Sequence, residues 1–201
     1  MAREGDCIWG SGVNGKVSDS EYGFRNLDVR AVRGPLTRDF LLARGINVAE
    51  TYGDPGLLLP MLFPWLGEIA CQKRYDTTIV PNLNDLSMIG HDDRILDPRS
   101  PLKVCLERIA QSERVVGSSL HGIIVAESLG IPARLISSSA ESPFKYTDYY
   151  RGTGRSDYKP AASVEEALEL GGEPPISWDP DPLLRAFPSD LWTESVSHES
   201  G

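Results

Sequence analysis

Apolar and polar residues along this chain fall into short blocks whose period changes repeatedly, and each change marks a boundary between elements. "DCIWGSGVNG" (residues 6–15) predicts a short strand running into a glycine-rich loop. "LDVRAVRGPLTRDFLLARGI" (27–46) predicts a strand, a break at Gly34–Pro35 and a helix whose apolar face is Phe40, Leu41 and Leu42. Gly45 is placed to close that helix. "NVAETYGDPGLLLP" (47–60) then reads as a strand ending in a turn.

From Tyr75 the pattern restarts. "YDTTIVPN", "DDRILDP", "ERVVGSS" and "IPARLISS" predict strands, while "PLKVCLERIAQS", "LHGIIVAESLG" and "SVEEALELGG" predict helices. "SPFKYTDYYRGTGR" (142–155) packs charged and tyrosine residues into a short stretch, either a substrate-binding cluster or a solvated loop with aromatic anchors. Strands alternating with helices imply a parallel sheet. The expectation is two α/β pieces, residues 1–66 and 67–172, followed by a tail at 173–201. Because the tail is rich in Pro, Ser and Asp, partial disorder is expected there.

Composition narrows the function classes. A formal net charge of -9, from 29 acidic and 20 basic residues, opposes a nucleic-acid binder, which needs a basic footprint. Local arginines remain free to bind a small anion. Cys7, Cys71 and Cys105 form no CxxC pair, which fits a reducing compartment. The start has no signal-peptide pattern. The most apolar stretch, "GLLLPMLFPWLG", is too short and too proline-broken to span a bilayer. These features predict a cytoplasmic protein that could still work at a membrane surface.

Several residues carry candidate chemistry. "GSGVNG" (10–15) matches the dinucleotide fingerprint G-x-G-x-x-G, but polar residues 16–22 offer no following helix, so a loop lining a cleft fits better. Arg33 precedes a helix start, where an anion is stabilised, and with Thr37 it suits a carboxylate or phosphate clamp. A surface arginine paired with Asp39 or Asp28 fits the same spacing. Asp54, in "YGDPG", reads as a turn former. "NLND", with Asn82, Asn84 and Asp85, suits sugar hydroxyls or an ordinary loop. In "GSSLHG", Ser118 or Ser119 caps a helix and His121 falls in its first turn, at the strand edge where α/β sheets bind ligands. No second His or Cys stands at metal-ligand spacing, so His121 divides between core packing and acid/base work. Lys145 could neutralise an anion, and tyrosines such as Tyr149 could stack on a sugar.

The ordered set "IWGSG", "VRGPLT", "GDPGLLLP", "SSLHGIIVAESLGIP" and "FKYTDYY" resembles the polysaccharide pyruvyl transferase family, and most closely its succinoglycan-type ketal-pyruvate transferases. The resemblance implies two Rossmann-like halves in a GT-B-like, two-domain glycosyltransferase architecture, with the N-terminal half expected to be incomplete. It implies phosphoenolpyruvate as donor, no cofactor and no metal. The implied acceptor is a hexose of a lipid-linked oligosaccharide or polysaccharide, which would place the protein at the inner face of the membrane. By position it makes His121 catalytic, and it assigns the donor to Arg33, Ser119, Leu120 and Lys145. The acceptor residues expected beside them are Asn82, Asp85 and Tyr149. Ser119 stands where many family members carry an arginine. Two other readings suit this architecture: a nucleotide-sugar glycosyltransferase, and a non-catalytic fragment or binding module.

Overall fold

Parallel strand pairing organises the chain, as the alternation of elements predicts. The computed structural model describes residues 2–87 and 91–192. In the first part, β1 (Cys7–Ser11) pairs with β2 (Asp28–Val32). In the second, β3 (Tyr75–Ile79), β4 (Ser112–Gly117) and β5 (Ala133–Leu135) form a sheet in that order. Helix α1 (Pro35–Leu42) follows β2. The short helices α2 (Leu59–Leu62) and α3 (Trp65–Ala70) lead towards β3. Then α4 (Leu102–Ala110) precedes β4, and α5 (Leu120–Ser128) joins β4 to β5. The remaining helices are α6 (Phe144–Gly152), α7 (Val164–Leu170) and α8 (Asp181–Arg185).

Local chemistry explains the boundaries. Pro35 begins α1, where its missing N–H costs nothing. Gly45, at φ 77°, closes the same helix in a left-handed conformation that other residues avoid. Ser119 caps α5, its side chain accepting from Gly122 N at 3.3 Å.

Two expected strands reduce to single bridges. Residues 47–60 contribute only Tyr52, bridged to Val32, because Asp54 and Pro55 turn the chain into a 3-10 helix over Pro55–Leu58. Residues 92–98 contribute only Ile95, bridged to Ile79. The larger correction is α6, which replaces the solvated loop expected around 142–155. Its Tyr146, Asp148, Tyr149 and Tyr150 are all buried. A helix enclosed on several sides shows no amphipathic period, so its sequence did not announce it.

The core is centred on α5, whose Leu120, Ile123, Ile124, Val125 and Ala126 are buried. Leu57 and Leu66 join the same cluster as Tyr149 and Tyr150. Helix α3 runs across the boundary expected at 66/67. Beyond residue 172 the chain runs from the edge of β5 back over the first part. Glu173 pairs with buried Arg134, Trp178 Nε1 donates to Tyr52 O at 3.1 Å, and Trp9 Nε1 donates to the carbonyl of fully buried Leu183 at 2.8 Å. Thus 173–192, taken from the sequence as part of a partly disordered tail, packs on the fold, while 193–201 lie outside the described residues. Among the described residues, no helix is long and apolar enough to cross a membrane.

Candidate active site

A cleft of about 810 Å³ opens where the C-terminal ends of β1 and β2 face the start of α5. Gly10, Ser11, Gly12, Arg33, Asp54 and His121 line it, together with Lys103 and apolar residues such as Leu59, Phe63, Trp65 and Leu106. The C-terminal edge of parallel strands is where α/β folds bind ligands.

His121 is the exposed residue of an otherwise largely buried helix, and its side chain is 74% exposed. Its Nε2 lies 3.6 Å from Asp54 Oδ2, an ion-pair distance rather than a hydrogen bond. Asp54 is itself buried, and its other oxygen accepts from Gly56 N at 2.9 Å. One carboxylate therefore both caps the turn and faces the imidazole. The turn reading from the sequence covered only the first of these.

The glycine-rich loop serves this same packing. At Gly12 a Cβ would lie 2.5 Å from Arg33 Cζ. Gly10, at φ 71°, would place one 2.4 Å from Pro55 Cδ. The glycines admit the Arg33 guanidinium and the Asp54–Pro55 turn to the cleft wall, and no helix follows them before residue 19.

Arg33 is nearly buried, at 6% exposure. Its Nη2 donates to Val13 O at 2.7 Å, and its Nε lies 3.2 Å from Asp148 Oδ2 without the alignment of a hydrogen bond. Burial lowers its pKa from the ordinary arginine value, while Asp148 and Asp54 oppose that shift. An anion does sit at the start of α1, as the spacing around Arg33 suggested, but the protein itself supplies it. Asp148 accepts from Thr37 N at 2.9 Å and from Thr37 Oγ1 at 2.7 Å. Thr37 thus faces Asp148 and is absent from the cleft wall.

The other expected site residues are placed elsewhere. Ser119 is engaged in capping and Leu120 is buried in the core. Lys145 is not part of the cleft wall; its Nζ donates to Glu141 Oε2 at 2.6 Å. Glu141 also binds Lys16 and accepts from Asn84 Nδ2 at 2.9 Å. Burial of its carboxyl opposes ionisation, but the bonds from Lys145, Lys16 and Asn84 outweigh this and hold its pKa down to about 2. Asp85 is buried, accepting from Ser118 Oγ at 2.6 Å and Ser138 Oγ at 2.9 Å, beside a separate cavity of about 220 Å³. Asn82 N donates to Ser118 Oγ at 3.0 Å, in the same loop network. Tyr149 is fully buried, and its hydroxyl donates to Glu127, so its ring has no face open to a sugar. Burial, reinforced by Glu127, pushes its pKa well up. Among the described residues, no group of three or more His, Cys, Asp or Glu side chains could hold a metal ion.

This arrangement can exchange a proton at an exposed imidazole backed by a carboxylate, in a cleft also lined by a buried guanidinium. A sequence profile described as Polysaccharide pyruvyl transferase matches residues 7–140, more than half of the chain. Arg33, Asp54 and His121 lie inside that match, and α6 lies beyond it. The chain is similar to "Succinoglycan biosynthesis protein ExoV" of Rhizobium meliloti (strain 1021), 31% identical over 158 residues, covering 72% of this chain and 47% of that protein. It is also similar to "Uncharacterized protein L143" of Acanthamoeba polyphaga mimivirus, 31% identical over 161 residues, covering 72% of this chain and 55% of that protein. The chain spans about half the length of these curated relatives.

Proposed function

The chain belongs to the polysaccharide pyruvyl transferase family, and from that premise we propose that it transfers a pyruvate ketal from phosphoenolpyruvate to a hexose of a bacterial exopolysaccharide repeat unit. The observation that carries this reading is the exposed His121 in the cleft, with Asp54 3.6 Å from its imidazole and Arg33 lining the same cleft.

In this mechanism Arg33 and the first-turn N–H groups of α5 hold the donor's anionic groups. Protonated His121 gives its proton to the methylene carbon, which becomes a methyl group and leaves an oxocarbenium-like centre at C2. Asp54 holds the imidazolium for that transfer. One sugar hydroxyl adds to C2 and returns its proton to His121. The C2–O bond to phosphate then breaks. A second hydroxyl adds to the renewed cation, its proton leaving with phosphate, to close the ketal.

Lys145 is bound to Glu141 and lies outside the cleft lining, so it is given no donor contact in this mechanism. The reading carries with it a GT-B-like two-domain architecture, a lipid-linked acceptor and work at the inner face of a membrane.

The test is incubation with phosphoenolpyruvate and a synthetic glycoside, following carboxyethylidene transfer by mass spectrometry and phosphate release. His121→Ala should lower kcat by about 10²–10⁴-fold, the usual share of a positioned acid or base. Asp54→Asn should lower it less. Phosphoenolpyruvate should raise Tm, whereas a nucleoside diphosphate should not. Undiminished turnover by His121→Ala would end this assignment.

A further inference from the structure

We infer that Asp148 is a positioning residue that sets the Arg33 guanidinium in the cleft wall, an inference resting on the pyruvyl transfer reading for its kinetic consequence. Helix α1 is entered through Gly34, which has no side chain to cap it. The cap comes from α6 instead. Asp148, fully buried, binds both Thr37 N and Thr37 Oγ1 at the first turn of α1. Two glycines make this approach possible. A Cβ on Gly34 would lie 1.9 Å from Asp148 O, and one on Gly152 would lie 2.3 Å from Arg33 O.

Capping by itself does not require a charge, because a neutral oxygen also accepts from a helix N–H. A buried carboxylate is costly unless a cation compensates it, and Arg33 Nε lies 3.2 Å from Asp148 Oδ2. Arg33 is equally dependent on Asp148, since its guanidinium is also withdrawn from water. With Nε drawn to Asp148 and Nη2 held by Val13 O, the plane of the guanidinium is set from two sides. Gly12 packs against it, where a Cβ would lie 2.5 Å from Arg33 Cζ. Arg33 lines the cleft in this position. Asp148 therefore acts on the donor anion through Arg33, without touching it.

The test compares Asp148→Asn in the wild-type background and in Arg33→Gln. Asp148→Asn should change KM for phosphoenolpyruvate at least about fivefold where Arg33 is present. It should change KM less than about twofold in Arg33→Gln, and an equal effect in both backgrounds would overturn the inference.

A readout independent of turnover is modification of Arg33 by phenylglyoxal, mapped by mass spectrometry. Asp148→Asn should accelerate it at least about tenfold. If the wild-type chain turns over no phosphoenolpyruvate, the functional reading fails; an unaccelerated Arg33 overturns the positioning role whatever the turnover. Should Asp148→Asn not fold, the double variant with Arg33→Gln, which removes both buried charges, should fold. Its failure to do so would also overturn the role.

Discussion

Replacing Glu141 by Gln should cost roughly 2–3 kcal/mol of stability at neutral pH and almost nothing near pH 2. The carboxylate is 3% exposed and joins three parts of the chain: Lys16 after the glycine-rich loop, Asn84 after β3, and Lys145 in α6. Its folded pKa is held down to about 2, against an ordinary Glu value of about 4.3 in the unfolded chain. At 1.36 kcal/mol per pKa unit that difference is worth roughly 3 kcal/mol, before salt screening of the Lys16 pair reduces it. Lys16 is 34% exposed and Lys145 only 12%, so the Lys145 share should persist in salt. The sign follows from a depressed carboxyl pKa. The stabilisation is fully present above the unfolded value and is lost as pH falls from about 4.3 towards about 2. Urea unfolding followed by tryptophan fluorescence at pH 7, 5, 4 and 3 measures the gap between wild type and Glu141→Gln. A gap equal at pH 7 and pH 3, or below about 1 kcal/mol at pH 7, would refute the linkage.

Two further outcomes test the packing around the cleft. Gly12→Ala should push the Arg33 guanidinium out of place, since the added Cβ falls 2.5 Å from its Cζ. The expected result is about 1–3 kcal/mol lost from stability, typical of overpacking, together with weaker phosphoenolpyruvate binding by calorimetry. Leu183→Ala should cost about 2–5 kcal/mol by denaturant titration, because Leu183 is fully buried under Trp178 and a residual cavity would remain. A loss below about 0.5 kcal/mol would mean that residues 173–192 are not part of the cooperative fold.

What could be read from the sequence was what short-range physics decides. Ser119 followed by an apolar run ending at Gly130 is enough to start and stop α5, because capping and left-handed glycine act within a few residues. The placement of His121 in the first turn after a strand follows from the same local signals. So do the strand–helix alternation and the parallel class. The ordered motifs added the family.

Tertiary structure decided which of the candidate groups meet. Asp54 and His121 become neighbours only when the turn after Tyr52 packs against α5, and no spacing rule relates them. Asp148 looked like one charge in a polar loop until α6 formed a buried helix and brought it to α1, 111 residues away in the chain. Lys145 and Tyr149 kept their residue types but not their expected freedom, one bound by Glu141 and the other enclosed by the core. A side chain's ionic partner and exposure depend on every element packed around it. Capping, turns and periodicity depend only on neighbours along the chain. That difference in range is why the position of His121 was legible and the identity of its partners was not.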